Sequence, residues 1–340
     1  MKLLSIIVPA YNSQAFLDVG IPTMLHPDIL TRLEIIIVND GSTDQTANIA
    51  QSYCDRYPSV VRLISQENKG HGGALNTGFA AATGKYLKVV DSDDWVVTEN
   101  LPALFHRLET AEADVILTHF HTVDISSGEI KEWKCYPNQF CKSYTLGEVL
   151  ARWQDFCRCM TLHGIMYRTE FYRQAGIQLT EHVFYEDYEY ATLPCCRAAH
   201  ILPLDLFLYE YRIGDINQSV SAENQLKRLN HTETVLSRLI EESRQLTNDA
   251  SLHYAANKTA ELFTSFLTTS LMLEPNRAAG RQHAKSQISV LSQLSPEVYC
   301  RVKWKYRVFL LMNLLHIRKP LLDRILSSRI YRSIRNQHKF

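Results

Sequence analysis

Four runs of apolar, largely β-branched residues punctuate the first ninety positions: Leu4–Val8, Leu33–Val38, Val60–Ile64 and Tyr86–Val90. The first two are apolar at nearly every position instead of every second one. That pattern suits strands buried on both faces at the centre of a parallel sheet. Polar clusters end these runs. Pro9-Ala10-Tyr11-Asn12 follows the first, Asn39-Asp40-Gly41-Ser42-Thr43-Asp44 the second, and Asp91-Ser92-Asp93-Asp94 the fourth. Helical stretches are predicted between them: Ser13–Leu25 with Ser13 as N-cap, Gln45–Tyr57, and Gly70–Ala82, which has a glycine-rich entry and is closed by Gly84. Strand and helix alternating at this spacing predict a doubly wound α/β domain.

The next stretch is mixed. Leu101–Ala111 reads as a helix and Val115–His119 as a strand, with hairpins or loops over 122–145. Met166–Ala175 and Asp187–Ala199 read as helices, and Ile201–Leu206 as a short strand. Beyond Ser221 glycine almost vanishes, and Leu226, Leu229, Leu236, Leu239 and Ile240 fall at helical spacing. The expected organisation is therefore an α/β domain over 1–221 and a helical region over 222–340. The first domain divides into two parts, about 1–96 and about 97–221.

Composition narrows the class. A chain of 340 residues suggests about two domains. With 46% hydrophobic and 21% charged residues it is neither disordered, collagen-like nor a coiled-coil rod. Lys plus Arg equals Asp plus Glu at 36 each. The balance conceals a split, because 301–340 holds eleven Lys or Arg against one acid, Asp323, leaving 25 basic and 35 acidic residues in 1–300. Such asymmetry points to a basic tail with an anionic partner. The apolar run in Met1–Ala10 ends after about eight residues with no small-x-small cleavage site, so it reads as a buried strand. No run approaches the ~20 apolar residues of a spanning helix; Val308–Leu315 is interrupted by Asn313. The eight cysteines are read as reduced thiols of a cytoplasmic protein. Neither Cys157/Cys159 nor Cys195/Cys196 has the C-x-x-C spacing of a zinc pair.

In open parallel sheets ligands bind outside the carboxyl ends of the strands. Parallel strands would bring the three polar clusters to one edge. Three carboxylates within Asp91–Asp94 repel one another unless a cation or solvent compensates. Mg²⁺ or Mn²⁺ is typically held by one or two carboxylates, with substrate phosphates completing the shell. Asp40, following the second strand, sits where an acid accepts hydrogen bonds from a base or ribose, or caps the following helix. Asn68-Lys69-Gly70-His71-Gly72-Gly73 offers backbone N–H groups and a Lys to a diphosphate, although its G-x-G-x-x pattern runs on to Leu75 instead of Gly.

Taken in order, the segments SIIVPAYN (5–12), EIIIVNDGSTDQT (34–46), ENKGHGGALNTGFAAATGKYLKVVDSDDW (67–95) and FYEDYEY (184–190) resemble family 2 glycosyltransferases of the GT-A fold. The resemblance is specific over 3–96 and thins over 97–221. It implies a mixed, mostly parallel sheet flanked by helices. It also implies a nucleotide pocket lined by Pro9, Tyr11 and Asn12, with Asp40 on uracil or ribose and Lys69 and Gly70 near the base and ribose. Asp91-Ser92-Asp93 resembles the D-x-D motif that holds a divalent metal on the diphosphate, and the register leaves Asp93 and Asp94 both open as the main ligand. Asp187 resembles the catalytic base of an inverting enzyme, with Glu186 as the weaker candidate. The loop from Tyr211-Arg212 to Ser221 resembles the one that follows the catalytic region, where Arg212 pairs with the diphosphate. His163 beside Gly164 is a candidate contact to acceptor or phosphate. Leu75 departs from the family, which commonly has Arg there.

The expected reaction is transfer of a sugar from a UDP-sugar to a glycan acceptor, such as a lipid-linked cell-surface polysaccharide intermediate. A nucleotidyltransferase is an alternative, but it would want a glycine-rich basic loop after the first strand, where Pro9–Asn12 stands. A non-catalytic partner subunit is another, and Asp91, Asp93 and Asp187 together speak against it. In the basic tail, 301–340, Trp304, Phe309, Leu311, Ile325 and Ile330 alternate with Arg and Lys. That suits a helix lying on an anionic membrane surface, or a tail packed on the acidic body. No nucleic-acid module accompanies the basic residues.

Overall fold

The structure, a computed structural model, describes residues 2–215 and 222–317. Among these, nine strands form one mixed sheet: β1 (Leu4–Ala10), β2 (Leu33–Asp40), β3 (Val61–Gln66), β4 (Tyr86–Val89), β5 (Trp95–Val96), β6 (Val115–Asp124), β7 (Ile130–Trp133), β8 (Ile165–Arg168) and β9 (Ile201–Ile213). The order is β3-β2-β1-β4-β8-β6-β9-β5, with β7 paired to β6. β1 to β4 are parallel, with Ile6 opposite Ile35 and Ile35 opposite Val61. β8 runs antiparallel to both β4 and β6, so β6 and β9 point the same way as β1–β4.

The continuous apolar runs are explained by cover on both faces. Ile6, Ile35 and Ile37 share one core cluster with Leu17 and Ile21 of α1 (Leu17–Met24), Ala50 and Tyr53 of α2 (Thr46–Arg56) and Phe105 of Leu101–Thr110. On the opposite face α3 (Gly70–Ala81) lies so close to β1 that a Cβ on Gly78 would fall 2.3 Å from Ile7. Close helix–sheet approach is why Gly stands there.

Several elements differ from expectation. α1 begins at Leu17, and Ser13 is drawn instead into the sheet edge, its N–H donating to Thr46 Oγ1 at 2.7 Å. The expected helix over Met166–Ala175 is divided: Ile165–Arg168 is β8 and only Thr169–Ala175 is helical. A four-residue strand buried between β4 and β6 has no periodicity to distinguish it from a helix turn. The second expected helix covers Asp187–Thr192 and gives way to a short 3₁₀ turn, Cys195–Arg197. β9 extends to Ile213, well past Leu206.

The described residues divide into two compact units. The first contains 2–215 and Glu242–Ala255, and the second contains 222–241 and 256–317. The chain thus returns to the first unit after the boundary expected near 222. Ser251 Oγ donates to the Cys196 carbonyl at 2.6 Å and Tyr254 OH to that of Ala191 at 2.7 Å. The second unit is helical. In it Asn313, the polar break in the apolar run, is fully buried, donating to the Leu271 carbonyl at 2.6 Å and accepting from Arg281 at 2.7 Å. No helix among the described residues is long and apolar enough to cross a membrane.

Candidate active site

Parallel pairing of β1, β2 and β4 brings their carboxyl ends to one edge. Pro9 and Ala10 end β1 inside the sheet, and Tyr11 leaves it 54% exposed. Asn12 adopts a left-handed conformation with φ of 49°. Its N–H donates to Ser42 Oγ at 3.0 Å and its Oδ1 accepts from the Thr43 N–H at 2.9 Å, clamping the turn after β1 to the turn after β2. Asp40 is buried at the end of β2. Its Oδ1 accepts from Gln66 Nε2 at 2.7 Å and from the Lys69 N–H at 2.9 Å, while its carbonyl accepts from Asn68 Nδ2 at 3.0 Å. Asp40 therefore organises the entry to α3. The helix-capping alternative falls to Asp44, whose Oδ1 accepts from the Thr46 N–H at 2.9 Å. At that entry Lys69 is half exposed, with Nζ 3.9 Å from Glu181. Gly70 has φ of +74°, and a Cβ there would lie 2.9 Å from the His182 nitrogen.

The acidic cluster follows β4 directly. Asp94 is buried, with Oδ2 accepting from Tyr209 OH at 2.5 Å and Oδ1 from the Arg212 N–H at 2.7 Å. Both oxygens are thus committed to β9. The Tyr209 hydroxyl in turn accepts from the Asp91 N–H at 3.1 Å, and Ser92 Oγ lies 2.7 Å from Ser13 Oγ. Burial, then the neighbouring charge of Asp91, holds the Asp93 carboxyl above the usual range. Asp94 is pushed well up by burial and by Asp93 and Asp91. Asp91 goes the other way, because its burial is outweighed by the charge of His71, which lowers it; Asp93 and Asp94, kept from ionising by burial and by their neighbours, are the acids that a hard cation would relieve. Donor atoms of Asp91, Asp94 and His163 all lie within 4.8 Å of one another, and Asp93 stands outside that set.

A residue of the glycine-rich entry to which no role was assigned from sequence links the two acidic motifs. His71, in the first turn of α3, places Nε2 2.9 Å from Asp91 Oδ1 and Nδ1 2.5 Å from Glu186 Oε1. Burial works against its cation, but the charges of Asp91 and Glu186 prevail and raise its pKa well above the ordinary imidazole value. Glu186 is 4% exposed, and its second oxygen has no hydrogen-bond partner. Asp187, the next residue, opens the helix Asp187–Thr192 and is only half buried.

Tyr211 on β9 feels the acids of both motifs. Burial and then the charges of Asp94, Asp91, Asp187 and Asp93 push its hydroxyl pKa up. His163 stacks on its ring at 4.2 Å, and burial lowers that imidazole to about 4, leaving it neutral at pH 7. The turn bearing His163 is held from β4 by Lys88, whose Nζ donates to the carbonyls of Leu162, His163 and Ile165 at 2.8, 2.6 and 3.1 Å. Burial lowers Lys88 to about 7. Three carbonyl acceptors need three N–H groups, which only the ammonium supplies. Arg212 lies with its guanidinium 4.9 Å above the Phe16 ring and Nη2 3.3 Å from Asp215. It lines a cavity of about 230 Å³ with Phe16, Val19, Asp93, Asp94 and Trp95. A larger cavity of about 450 Å³ opens beside Ala113 and His200, at the amino ends of β6 and β9, away from the carboxylates. The loop residues 216–221 lie outside the described residues.

A mixed, mostly parallel sheet in this order, flanked by helices, is the architecture of the GT-A glycosyltransferases. The chain belongs to glycosyl transferase family 2, whose model matches residues 5–174. It is 30% identical over 213 residues to the uncharacterized glycosyltransferase EpsJ of Bacillus subtilis, covering 62% of this chain and 61% of that protein, less than two thirds of its length. Among solved structures, S. aureus TarS 1–349 in complex with UDP-GlcNAc superposes with a TM-score of 0.66 at 20% identity, over 95% of this chain and 92% of that one. The mannosyltransferase PcManGT from Pyrobaculum calidifontis, in complex with GDP-Man and Mn²⁺, gives 0.53 at 15% identity over 92% and 86%. At these identities the structural likeness concerns the fold.

Proposed function

We propose that the chain is an inverting, metal-dependent transferase that moves a sugar from a UDP-sugar to a glycan acceptor, a lipid-linked intermediate of a cell-surface polysaccharide. The observation that carries this reading is that His71 joins Asp91, in the acidic turn after β4, to Glu186, the neighbour of Asp187. Asp91 follows β4, and Asp187 opens a helix nearly a hundred residues later. The UDP-GlcNAc bound to TarS and the Mn²⁺ in the PcManGT complex support the donor class and the cation.

Asp91 and Asp93 would hold Mg²⁺ or Mn²⁺, while Asp94, with both oxygens taken by Tyr209 and Arg212, fixes the turn. When bound, the cation supplies positive charge against the leaving diphosphate. Asp187 takes the proton of the attacking acceptor hydroxyl, a role a half-buried carboxylate fills once the hydroxyl is within hydrogen-bond reach. Glu186, buried and paired to His71, is unsuited to that exchange and serves to position. Tyr11 and Asn12 flank the base and ribose, with Pro9 behind them. Asp40 acts through the Lys69–Gly70 turn that it holds. Arg212 reaches the diphosphate from the cavity beside Asp93.

Attachment to an anionic membrane surface on the cytoplasmic side would bring a lipid-linked acceptor to the site. Supporting this, the helix Pro296–Leu314 and the residue after it leave Trp304, Leu311, Leu314 and Leu315 exposed at 70, 57, 53 and 62%, beside exposed Lys303 and Arg307. Each basic residue near such a surface contributes about 1 kcal/mol. The rest of the basic tail, 318–340, lies outside the described residues. The reading is tested by incubating the full chain with a panel of nucleotide sugars and Mn²⁺, with and without membrane lipid extract. UDP release that needs both a UDP-sugar and the metal is expected. Release from no UDP-sugar would overturn it.

A further inference from the structure

We propose that His119, Cys135 and Cys159 form a structural zinc site, separate from the carboxylate cluster, that ties β6 to the two segments flanking it. The three side chains come from mid-β6, from just after β7 and from the turn after Trp153–Phe156. All three are buried, at 1, 1 and 0% exposure. His119 Nδ1 lies 3.9 Å from Cys135 Sγ and 4.0 Å from Cys159 Sγ, and the three donor atoms fall within 4.8 Å of one another. In a tetrahedral site with Zn–S near 2.3 Å and Zn–N near 2.0–2.1 Å, nitrogen and sulfur stand roughly 3.6 Å apart. The two nitrogen–sulfur distances therefore need to shorten by a few tenths of an ångström to close on an ion.

The imidazole is already oriented for the task. Asp205 Oδ1 lies 3.1 Å from His119 Nε2. A carboxylate accepting from Nε2–H leaves the Nδ1 lone pair directed at the two sulfurs, the outer-shell arrangement that metal-bound histidines use. Phe207 packs against the same ring, with centroids 5.1 Å apart. One nitrogen and two sulfurs select zinc over the hard cations that suit Asp91 and Asp93. Among the described residues the protein supplies these three donors. None of the three residues touches the proposed reaction groups, but the turn they anchor continues to Leu162 and His163, whose carbonyls hold Lys88. The site would thus set where His163 stands.

The test is zinc content of the full chain, purified under reducing conditions, exposed briefly to chelator and measured by elemental mass spectrometry. About one zinc per chain is expected, lost in Cys135→Ser and Cys159→Ser and kept in Cys141→Ser, a change at an exposed thiol. Two measurements remain decisive even if the buried variants fail to fold. The wild-type chain loaded with Co²⁺ should show a thiolate-to-cobalt charge-transfer band. Asp205→Asn, at a side chain 72% exposed, should weaken zinc retention about 10- to 100-fold in competition with a chelator. The proposal is overturned by a wild-type chain that takes up no zinc after reconstitution. It is equally overturned by zinc that survives loss of either cysteine, by the absence of the cobalt band, by an unchanged Asp205→Asn affinity, or by a Cys135–Cys159 disulfide in the reduced preparation.

Discussion

Replacing His71 with Ala removes the one cation that bridges Asp91 and Glu186. Glu186 is 4% exposed and its other oxygen has no hydrogen-bond partner, so the change leaves a buried carboxylate without compensation. Removing one partner of a fully buried ion pair costs about 3–5 kcal/mol. The His71 side chain is 32% exposed and that of Asp91 25%, so solvent takes up part of the charge. A loss of about 2–3 kcal/mol follows. It would be read as a shift of about 1 M in the urea midpoint, followed by tryptophan fluorescence, since Trp95 adjoins the cluster. Adding Glu186→Gln to the His71→Ala background neutralises the stranded carboxylate and should restore at least half of the loss. The pH dependence has a definite sign. Because the folded pKa of His71 is raised, its contribution is complete below the unfolded value of about 6.5 and fades as pH rises through the folded value. The gap between wild type and variant should therefore narrow in alkali. A loss under about 0.5 kcal/mol, or a second substitution that deepens the loss, would refute the reasoning.

Other residues allow sharper separations. Asp93→Asn should raise the Mn²⁺ concentration needed for half-maximal UDP binding, measured by calorimetry. Asp94→Asn should leave that concentration near wild type and cost about 1–3 kcal/mol in urea unfolding, because its oxygens serve Tyr209 and Arg212. Lys88→Met keeps the length of the side chain but leaves three carbonyls without their donor, so unfolding free energy should fall by about 3 kcal/mol or more.

What sequence pattern revealed, and what it did not, follows from the range of the interactions. β1 to β4 and their polar ends are legible because a strand buried on both faces is a local run, and because the turn after it must be polar. The position of the acidic turn Asp91–Asp94, just after β4, is legible for the same reason. His71 carries no local signal, because its partner Glu186 is 115 residues away. The role of Asp94 depends on Tyr209 and Arg212, contributed by a strand whose expected length stopped at Leu206. β8 was hidden because four buried residues carry no period. The His119–Cys135–Cys159 cluster has no short spacing to betray it, since folding alone brings the three together.

The proposed transfer turns on Asp187. In the Asp187→Asn chain the carboxylate that takes the acceptor proton is gone, while Asp91, Asp93 and the nucleotide pocket are untouched. Transfer from the UDP-sugar to acceptor should fall by about 10²–10⁴-fold, with the affinity for UDP and Mn²⁺ unchanged. Transfer at the wild-type rate, or UDP affinity falling in step with transfer, would contradict the assignment of Asp187 as the base.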